Sequence, residues 1–206
     1  NQLAEIITAK WQVKLLSTYA STEMQTAFTE CEHLKGNHLR PELLIAEILD
    51  DEGNQLPPKT LGELTITTLG VTGMPLLRYR TGDICMYYNE TCACGRNSIR
   101  LSSVVGRKNQ MIKYKGTTLF PAAIFDALSV VKEVSDYVVQ VSKDELGNDD
   151  VQIHLVLNSA ENVLSKITST LQAKLRVTPA LKISSPQHLQ SLRPAESRKL
   201  VKVIFN

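Results

Sequence analysis

The order of the apolar periods after Met111 constrains the fold more than any other feature. Short apolar runs predict strands at residues 111–114, 137–141, 151–157, 181–184 and 201–205. Pro121 is suited to the first turn of a helix. A second helical stripe follows, carrying Val163, Leu164, Ile167, Leu171 and Leu175. This order predicts a small α+β layer with helices on one face of a sheet.

The part of the chain before residue 109 has a different rhythm. A helix is predicted up to Trp11 and a buried strand at 13–19. From about Pro41 to Val105 the pattern is rich in strands, with residues 43–49 and 61–69 separated by turn residues at 50–54. We therefore expect two domains, 1–108 and 109–206.

Composition excludes several classes of protein. Of the 206 residues, 43% are hydrophobic, which is enough for a core, and the net charge of +2 argues against nucleic-acid binding through a broad basic surface. No apolar run reaches the roughly 18 residues of a membrane span. The chain opens on Asn1 without a signal-peptide pattern. We expect a cytoplasmic protein that binds neither nucleic acid nor membrane, and a fragment that begins inside a domain.

Two polar motifs follow predicted strands. A Thr hydroxyl and a carboxylate at Thr22 and Glu23 are suited to a phosphate and its Mg²⁺, although such a stretch is also typical of a helix N-cap. Asp83, after Gly82, is suited to accepting hydrogen bonds from both hydroxyls of a ribose. The alternative there is a surface turn with a charge pair between Arg80 and Asp83.

Asn109 lies where the composition changes. Because Asn visits left-handed backbone conformations, it is a candidate hinge between the two domains, and a simple linker is the alternative.

Taken in order, these motifs resemble one family. Y-x-x-T-E at 19–23, L-G-E-L at 61–64, R-Y-R-T-G-D at 78–83, G-R-x-N at 106–109 and K-G-x-x-L-F-P at 115–121 resemble the adenylate-forming superfamily, and most closely its phenylacetate–coenzyme A ligase branch. The resemblance implies α/β and α+β structure: the tail of the large AMP-binding domain with a β-rich subdomain, then a small α+β lid domain.

The resemblance also implies roles for individual residues. Tyr19 would pack on adenine, Thr22 would approach the phosphate, Glu23 would bind Mg²⁺, Asp83 would hold the ribose, and Arg107 would reach towards the nucleotide. Lys199 would neutralise charge as the acid attacks ATP, with Lys202 as the competing lysine. Lys202 is predicted to point outward from a strand. Asn109 would be the hinge of a lid whose other face, at Lys115 and Gly116, meets coenzyme A.

The sequence departs from the family pattern at several places. Ala20 replaces a usual Gly, Asn109 a common Asp, and Arg198 a common Gly before Lys199. A Ser/Thr/Gly-rich phosphate loop is missing from the sequence.

Cysteines and histidines flank the β-rich segment. Cys92 and Cys94 are one residue apart, and together with Cys31 and an imidazole they are suited to a tetrahedral Zn²⁺ site. Some members of the branch resemble this arrangement. His38 is favoured over His33 because Gly36 lets the chain turn back, and reduced structural thiols are the alternative. Cys85 and His154 are expected to be a core thiol and a polar-face strand residue.

Two functions follow from these patterns. The first is the C-terminal part of an AMP-forming acid–coenzyme A ligase of phenylacetate catabolism, acting on an aryl or arylacetic acid with ATP, Mg²⁺ and coenzyme A. It would be inactive without the missing N-terminal part, and we expect self-association into a homodimer. The second is a non-catalytic module that binds a small molecule or a partner.

Overall fold

The computed structural model describes residues 2–158, 163–194 and 200–206. It divides into two compact units, unit 1 at Leu3–Asn109 and unit 2 at Gln110–Asn206. Among the described residues, no helix combines the length and apolar character needed to cross a membrane.

Unit 1 contains one helix and two antiparallel sheets. Helix α1 spans Gln2–Trp11. The first sheet has the order β1-β2-β3-β8-β7, formed by β1 (Thr18–Ser21), β2 (Gln25–Glu30), β3 (Asn37–Leu39), β7 (Tyr87–Tyr88) and β8 (Arg100–Leu101). The second has the order β4-β5-β6-β9, formed by β4 (Leu44–Leu49), β5 (Gly62–Thr68), β6 (Tyr79–Cys85) and β9 (Gly106–Arg107).

The two sheets of unit 1 share one hydrophobic core. Phe28 and Leu101 from the first sheet pack with Leu44, Leu64 and Ile66 from the second, and all five are fully buried. Leu64 and Ile66 on β5 follow the strand period, whereas Ala27 and Phe28 on β2 are neighbours and are both buried.

The strand predicted at 13–19 is wrong for most of its length. Residues 12–17 lie outside the assigned strands, and Val13, Leu15 and Leu16 are 41%, 38% and 52% exposed. Strand β1 begins at Thr18, where pairing with Thr29 of β2 starts. An apolar run becomes a strand only where a partner offers backbone hydrogen bonds, which the sequence alone does not show.

Unit 2 follows the predicted order and adds to it. Hairpin strands β10 (Ile112–Tyr114) and β11 (Thr117–Leu119) precede α2 (Pro121–Ser129). A sheet of order β14-β13-β12-β15 is built from β12 (Val134–Lys143), β13 (Asp149–Leu157), β14 (Ala180–Ile183) and β15 (Val203–Phe205), with α3 (Val163–Leu175) and α4 (Pro186–Leu192). Strands β12 and β13 are antiparallel, whereas β14 and β15 pair with them in parallel.

Helices cover both faces of this sheet. The buried residues Val139, Ile153 and Leu155 share a core with α2 and α3. His154 projects from the opposite face, and its ring lies 5.4 Å from that of His188 in α4. The expectation of helices on one face therefore missed α4, which is introduced by the Ser185–Pro186 pair: the Ser185 hydroxyl accepts a hydrogen bond from the His188 backbone N–H.

The backbone around residue 109 forms a compact turn. Asn109 lies in a 3-10 turn, Lys108–Gln110, and does not adopt a left-handed conformation. A few positions later Lys115 and Gly116 are left-handed, with φ of 48° and 75°, and they form the two-residue turn between β10 and β11.

Candidate functional site

Asp83 lies at the centre of the hydrogen-bonded group that joins three of the predicted nucleotide-binding residues. The Tyr19 hydroxyl donates to Asp83 Oδ2 at 2.6 Å, and Arg107 Nε donates to Asp83 Oδ1 at 3.2 Å. Asp83 is 8% exposed. A carboxylate has about four acceptor positions, so Asp83 keeps acceptor capacity beyond these two bonds.

Strand pairing brings these residues together. Asp83 on β6 is the direct cross-strand partner of Arg107 on β9, which holds the opposite charges side by side. Gly82, which precedes Asp83, has a φ of 78°, a conformation that residues with a side chain rarely adopt. Beside it, the pairing of β5 with β6 shifts register between Glu63 and Thr65.

The environment of Tyr19 keeps its hydroxyl protonated. Burial is the largest cause of its raised pKa, followed by the hydrogen bond to Asp83. The Tyr19 ring also packs against Phe28, with the ring centroids 5.9 Å apart. Tyr19 therefore acts as a donor to Asp83 and not as an acceptor.

Glu23 and Thr22 are both exposed and lie in the turn between β1 and β2. The pKa of Glu23 is lowered, chiefly by the adjacent Ser21 hydroxyl and the backbone of the turn, and also by the positive charge of Arg107. Arg107 thus influences Glu23 while it is bonded to Asp83. Glu23 itself lines a separate cavity of about 200 Å³ with Met24, Leu44 and residues 68–71.

Sequence reasoning missed a second charged network beside Asp83. Glu63, which is buried, accepts from Arg80 Nε at 2.8 Å and from Lys108 Nζ at 3.2 Å. Burial opposes the ionised form, but these two cations lower the pKa of Glu63 below its usual value. The alternative interpretation of Asp83, a surface turn with a charge pair to Arg80, is therefore not what the structure shows. The L-G-E-L and R-Y-R motifs contain both partners, but only strand pairing shows that they meet.

This second network borders an open cavity. The cavity has a volume of about 340 Å³ and is lined by Glu63, Arg80, Thr81, Gly82, Arg107, Lys108 and Asn109. Its three cations are all paired with carboxylates. Arg80 and Lys108 bond to Glu63, Lys108 also bonds to Asp51, and Arg107 bonds to Asp83. The charges that border the cavity are therefore balanced.

The lysines predicted for the second domain have different positions. Lys115 and Gly116 form the β10–β11 turn, and Lys115 Nζ lies 5.0 Å from the centroid of the Tyr114 ring. Lys199 lies outside the described residues. Lys202 precedes β15 and is half-buried, with Nζ 3.4 Å from the Tyr137 hydroxyl, so the expected outward strand position is wrong.

The four predicted metal ligands come together in unit 1. The donor atoms of Cys31, His38, Cys92 and Cys94 all lie within 4.8 Å of one another. Cys31 Sγ and Cys92 Sγ are 3.7 Å apart, and Cys94 Sγ and His38 Nε2 are 3.5 Å apart. Sulfur atoms at about 2.3 Å from a tetrahedral Zn²⁺ are separated by about 3.8 Å, and a sulfur–nitrogen pair by about 3.6 Å. The donor set therefore fits Zn²⁺.

The surroundings of these four residues shift the pKa values of their side chains in different directions. The backbone N–H of Arg96 lowers the pKa of Cys94, whereas burial raises that of Cys31. Burial, followed by the charges of Arg96 and Arg100, lowers the pKa of His38. His38 Nδ1 is 3.4 Å from the Ser98 hydroxyl, which orients the ring.

Gly36 allows His38 to reach the metal cluster. Its φ is 98°, and a Cβ atom on it would lie 2.6 Å from the carbonyl oxygen of Leu101. Only glycine fits this close approach of the chain to β8. His33 is on the other side of this turn and is 3.6 Å from Glu32 instead.

Cys85 and His154, which were not predicted as metal ligands, are both buried. Cys85 is a core thiol, and burial raises its pKa to about 12. His154 is 2% exposed and lies between Gln140 and Ser184, at 3.0 and 3.3 Å. It is a strand residue with polar neighbours, as expected, although it is buried.

Comparison with known proteins bears on these observations. The chain is 33% identical over 126 residues to a phenylacetate–coenzyme A ligase of Thermus thermophilus, covering 60% of this chain and 28% of that protein. It is 26% identical over 200 residues to a phenylacetate–coenzyme A ligase of Pseudomonas putida, covering 93% of this chain and 44% of that protein. The predicted resemblance to the phenylacetate–coenzyme A ligases is confirmed. The chain spans less than half the length of either relative.

Solved structures support the same fold. A 2-hydroxyisobutyryl–coenzyme A ligase in its postadenylation state superposes with a TM-score of 0.79 at 18% identity, covering 99% of this chain and 45% of that one. An o-succinylbenzoate coenzyme A synthetase from Bacillus subtilis gives a TM-score of 0.63 at 18% identity, covering 89% and 40%. The α+β class and the adenylate-forming ligase fold are thus confirmed. No family model matches the chain.

Proposed function

We propose that this chain is the C-terminal part of an AMP-forming acid–coenzyme A ligase. The observation that supports this most is the buried Asp83 carboxylate, which accepts hydrogen bonds from both Tyr19 and Arg107. Relatives named as phenylacetate–coenzyme A ligases favour an aryl or arylacetic acid as the substrate.

The reaction has two steps. A carboxylate oxygen of the acid bonds to the α-phosphorus of ATP as the bond to pyrophosphate breaks, and the coenzyme A thiol then bonds to the acyl carbon as AMP leaves. Both transfers depend on positioning and on charge neutralisation. The domain from 109 would act as a lid, with Asn109 as its hinge.

Each site residue has a role in this proposal. Asp83 accepts hydrogen bonds from the ribose hydroxyls, and Tyr19 and Arg107 keep its carboxylate fixed. Tyr19 also borders the adenine, and Thr22 approaches the phosphate. Glu23 remains ionised and supplies an oxygen ligand for Mg²⁺. Lys199 neutralises the transferring phosphoryl group, and Lys115 and Gly116 face coenzyme A in the second step.

The test uses the protein as its gene encodes it, with a panel of aryl and arylacetic acids. We expect acid-dependent AMP formation that Asp83→Ala and Lys199→Ala each lower by about 100-fold. Arg176→Gln, which removes an exposed guanidinium, is the matched control and is expected to retain activity. Absence of AMP formation with every acid would contradict the ligase proposal and favour a binding module.

The isolated 206 residues are expected to form no AMP under the same conditions, because the sequence contains no Ser/Thr/Gly-rich phosphate loop. AMP formation by this chain alone would show that these 206 residues are sufficient for adenylation, and would contradict the expectation.

We also propose that Cys31, His38, Cys92 and Cys94 hold a structural Zn²⁺. The four donors would close the coordination shell, so the ion would stabilise the fold without activating a water molecule. Metal analysis of protein prepared without added zinc is expected to give one equivalent. Cys92→Ser is expected to abolish binding, whereas Cys85→Ala should leave the metal content unchanged. Less than about half an equivalent in the unmodified chain would contradict this site.

A further inference from the structure

The β10–β11 hairpin ends in the turn that the proposed function directs towards coenzyme A. Lys115 and Gly116 form this turn, and both are exposed. The strands below it contribute three almost completely buried side chains to the core of unit 2, Ile112, Tyr114 and Leu119. A hairpin with only three residues in each strand therefore determines where the turn lies.

The Lys113 backbone attaches this hairpin to the central sheet. Its N–H donates to Asp149 Oδ2 at 2.6 Å. Residue pairs in an antiparallel ladder alternate between hydrogen-bonded and non-hydrogen-bonded, so every second N–H of β10 faces away from β11. Such an N–H needs another acceptor, and Asp149 supplies a charged one. Because Lys113 is two residues before Lys115, this bond holds the main chain directly below the turn.

The Asp149 carboxylate is itself fixed. Asp149 begins β13, and its side chain is 10% exposed. Lys143 pairs with it across the ladder, and Lys143 Nζ donates to Asp149 Oδ1 at 2.5 Å. In the preceding loop, Asp144 Oδ1 accepts from the Asn148 backbone N–H at 2.8 Å. Burial opposes ionisation of Asp149, but Lys143 and the Lys113 N–H lower the pKa of its carboxyl below the usual value.

We propose that Asp149 is a positioning residue for the Lys115–Gly116 turn, acting through the Lys113 N–H, and this inference rests on the proposed ligase function. In that function the turn faces coenzyme A in the second step only. A displacement of about 1 Å in a positioned group can cost about 100-fold in rate. Loss of the Asp149 acceptor is therefore expected to slow thioester formation and to leave adenylation unchanged.

The half-reactions separate positioning from general damage. In the protein as its gene encodes it, we expect Asp149→Ala to lower thioester formation from pre-formed acyl-adenylate and coenzyme A by at least about tenfold. Acid-dependent pyrophosphate release should change by less than about twofold. Asp149→Asn, which keeps an acceptor oxygen for the Lys113 N–H, should lose less than about threefold in thioester formation. Lys143→Met removes the exposed partner of the ion pair, and this matched control should change neither rate by more than about twofold.

Removing the donor tests the same bond from its other side. Lys113→Pro deletes the backbone N–H at a position where it faces away from β11, and it should give the same loss confined to thioester formation. Lys113→Ala keeps the N–H and is the control for the exposed side chain. In the Lys113→Pro background, Asp149→Ala should cause less than about a twofold further loss. Lys113→Pro also provides the test if Asp149→Ala prevents unit 2 from folding.

The outcomes are distinct. The inference is overturned, and the ligase proposal left standing, if Lys113→Pro and Asp149→Ala lower both half-reactions equally or leave thioester formation unchanged. A full tenfold further loss in the Lys113→Pro background would have the same meaning. An unmodified protein that forms no acyl-adenylate with any acid would overturn both.

Discussion

The two units are stabilised in different ways, and the predicted site residues with charged contacts lie mainly in unit 1. Unit 2 has a core in which side chains from two helices and the central strands are almost completely excluded from water. Unit 1 has a smaller core between two sheets and leaves large apolar side chains such as Trp11 and Leu16 exposed, at 73% and 52%. Its polar side chains are instead joined by charged hydrogen bonds, and four cysteine and histidine side chains lie together in it. Unit 2 thus depends mainly on apolar burial, whereas unit 1 depends more on specific polar contacts.

The largest difference is expected on removing metal. Cys92→Ser should lower the free energy of unfolding of unit 1 by at least about 3 kcal/mol, a fraction of the roughly 10–16 kcal/mol with which structural Zn²⁺ binds small zinc-finger peptides. Unit 2, which contributes no ligand, should be unaffected. Hydrogen exchange followed separately in each unit during urea unfolding measures both effects. A similar loss in both units would mean that they do not unfold independently.

Truncating a core side chain of unit 2 should have the opposite effect, destabilising unit 2 and leaving unit 1 unchanged. Ile153 is fully buried between β12 and the helices of unit 2, so Ile153→Ala is expected to destabilise that unit by about 2–5 kcal/mol through lost burial and an unfilled cavity. The exposed Leu146, replaced by Ala, is the control for an apolar truncation in the same unit. Unchanged hydrogen exchange in unit 2 would refute its dependence on this core.

A smaller effect is expected from the Tyr19–Asp83 bond. Tyr19→Phe should cost unit 1 roughly 1–3 kcal/mol, because the buried Asp83 loses a donor. The raised pKa of Tyr19 means that the folded state holds the phenol proton more tightly than the unfolded state. Its contribution is therefore present in full below about pH 10 and is lost as the pH rises further.

Urea unfolding at pH 8 and pH 11 measures this pH dependence. Unmodified unit 1 should lose stability between these values, and Tyr19→Phe should lose less. An equal loss in both proteins would show that Tyr19 is not the titrating group.

The smallest effect concerns the exposed apolar residues of unit 1. Leu16→Gln should change the free energy of unfolding by no more than about 0.5 kcal/mol, since the side chain is already half exposed. Hydrogen exchange during urea unfolding, measured for Leu16→Gln and for Ile153→Ala, compares the effects of the two substitutions directly. A loss above about 2 kcal/mol would mean that Leu16 is buried in solution, for instance against a second copy of the chain.

Sequence reasoning predicted unit 2 better than unit 1 for a physical reason. The helix beginning at Pro121 and the stripe from Val163 to Leu175 are local patterns, and local spacing determines which face is buried. Strands β3, β7, β8 and β9 have only two or three residues, and they exist because distant segments pair with them. Such short strands have no period to detect.

The sequence indicated which residues of the candidate site lie together, but not their contacts. Motif order selected Asp83 and Arg107, and spacing selected Cys31, His38, Cys92 and Cys94; the structure brings the members of each set together. The alternative pair of Arg80 with Asp83 is plausible in a sequence because opposite charges three residues apart lie close together, whereas pairing of β6 with β5 brings Arg80 to Glu63. The hinge at Asn109 stays a prediction, and the compact 3-10 turn there requires no positive φ.

The fit of Gly36 against Leu101 has a consequence for measurement. The strand that carries His38 pairs with β8 only because the chain passes this close, so ligand spacing and strand pairing change together. A residue with a side chain at position 36 would separate an imidazole from two thiolates without altering any of them. Zinc affinity, titrated against a chelator of known strength, would then report on the separation of two backbones.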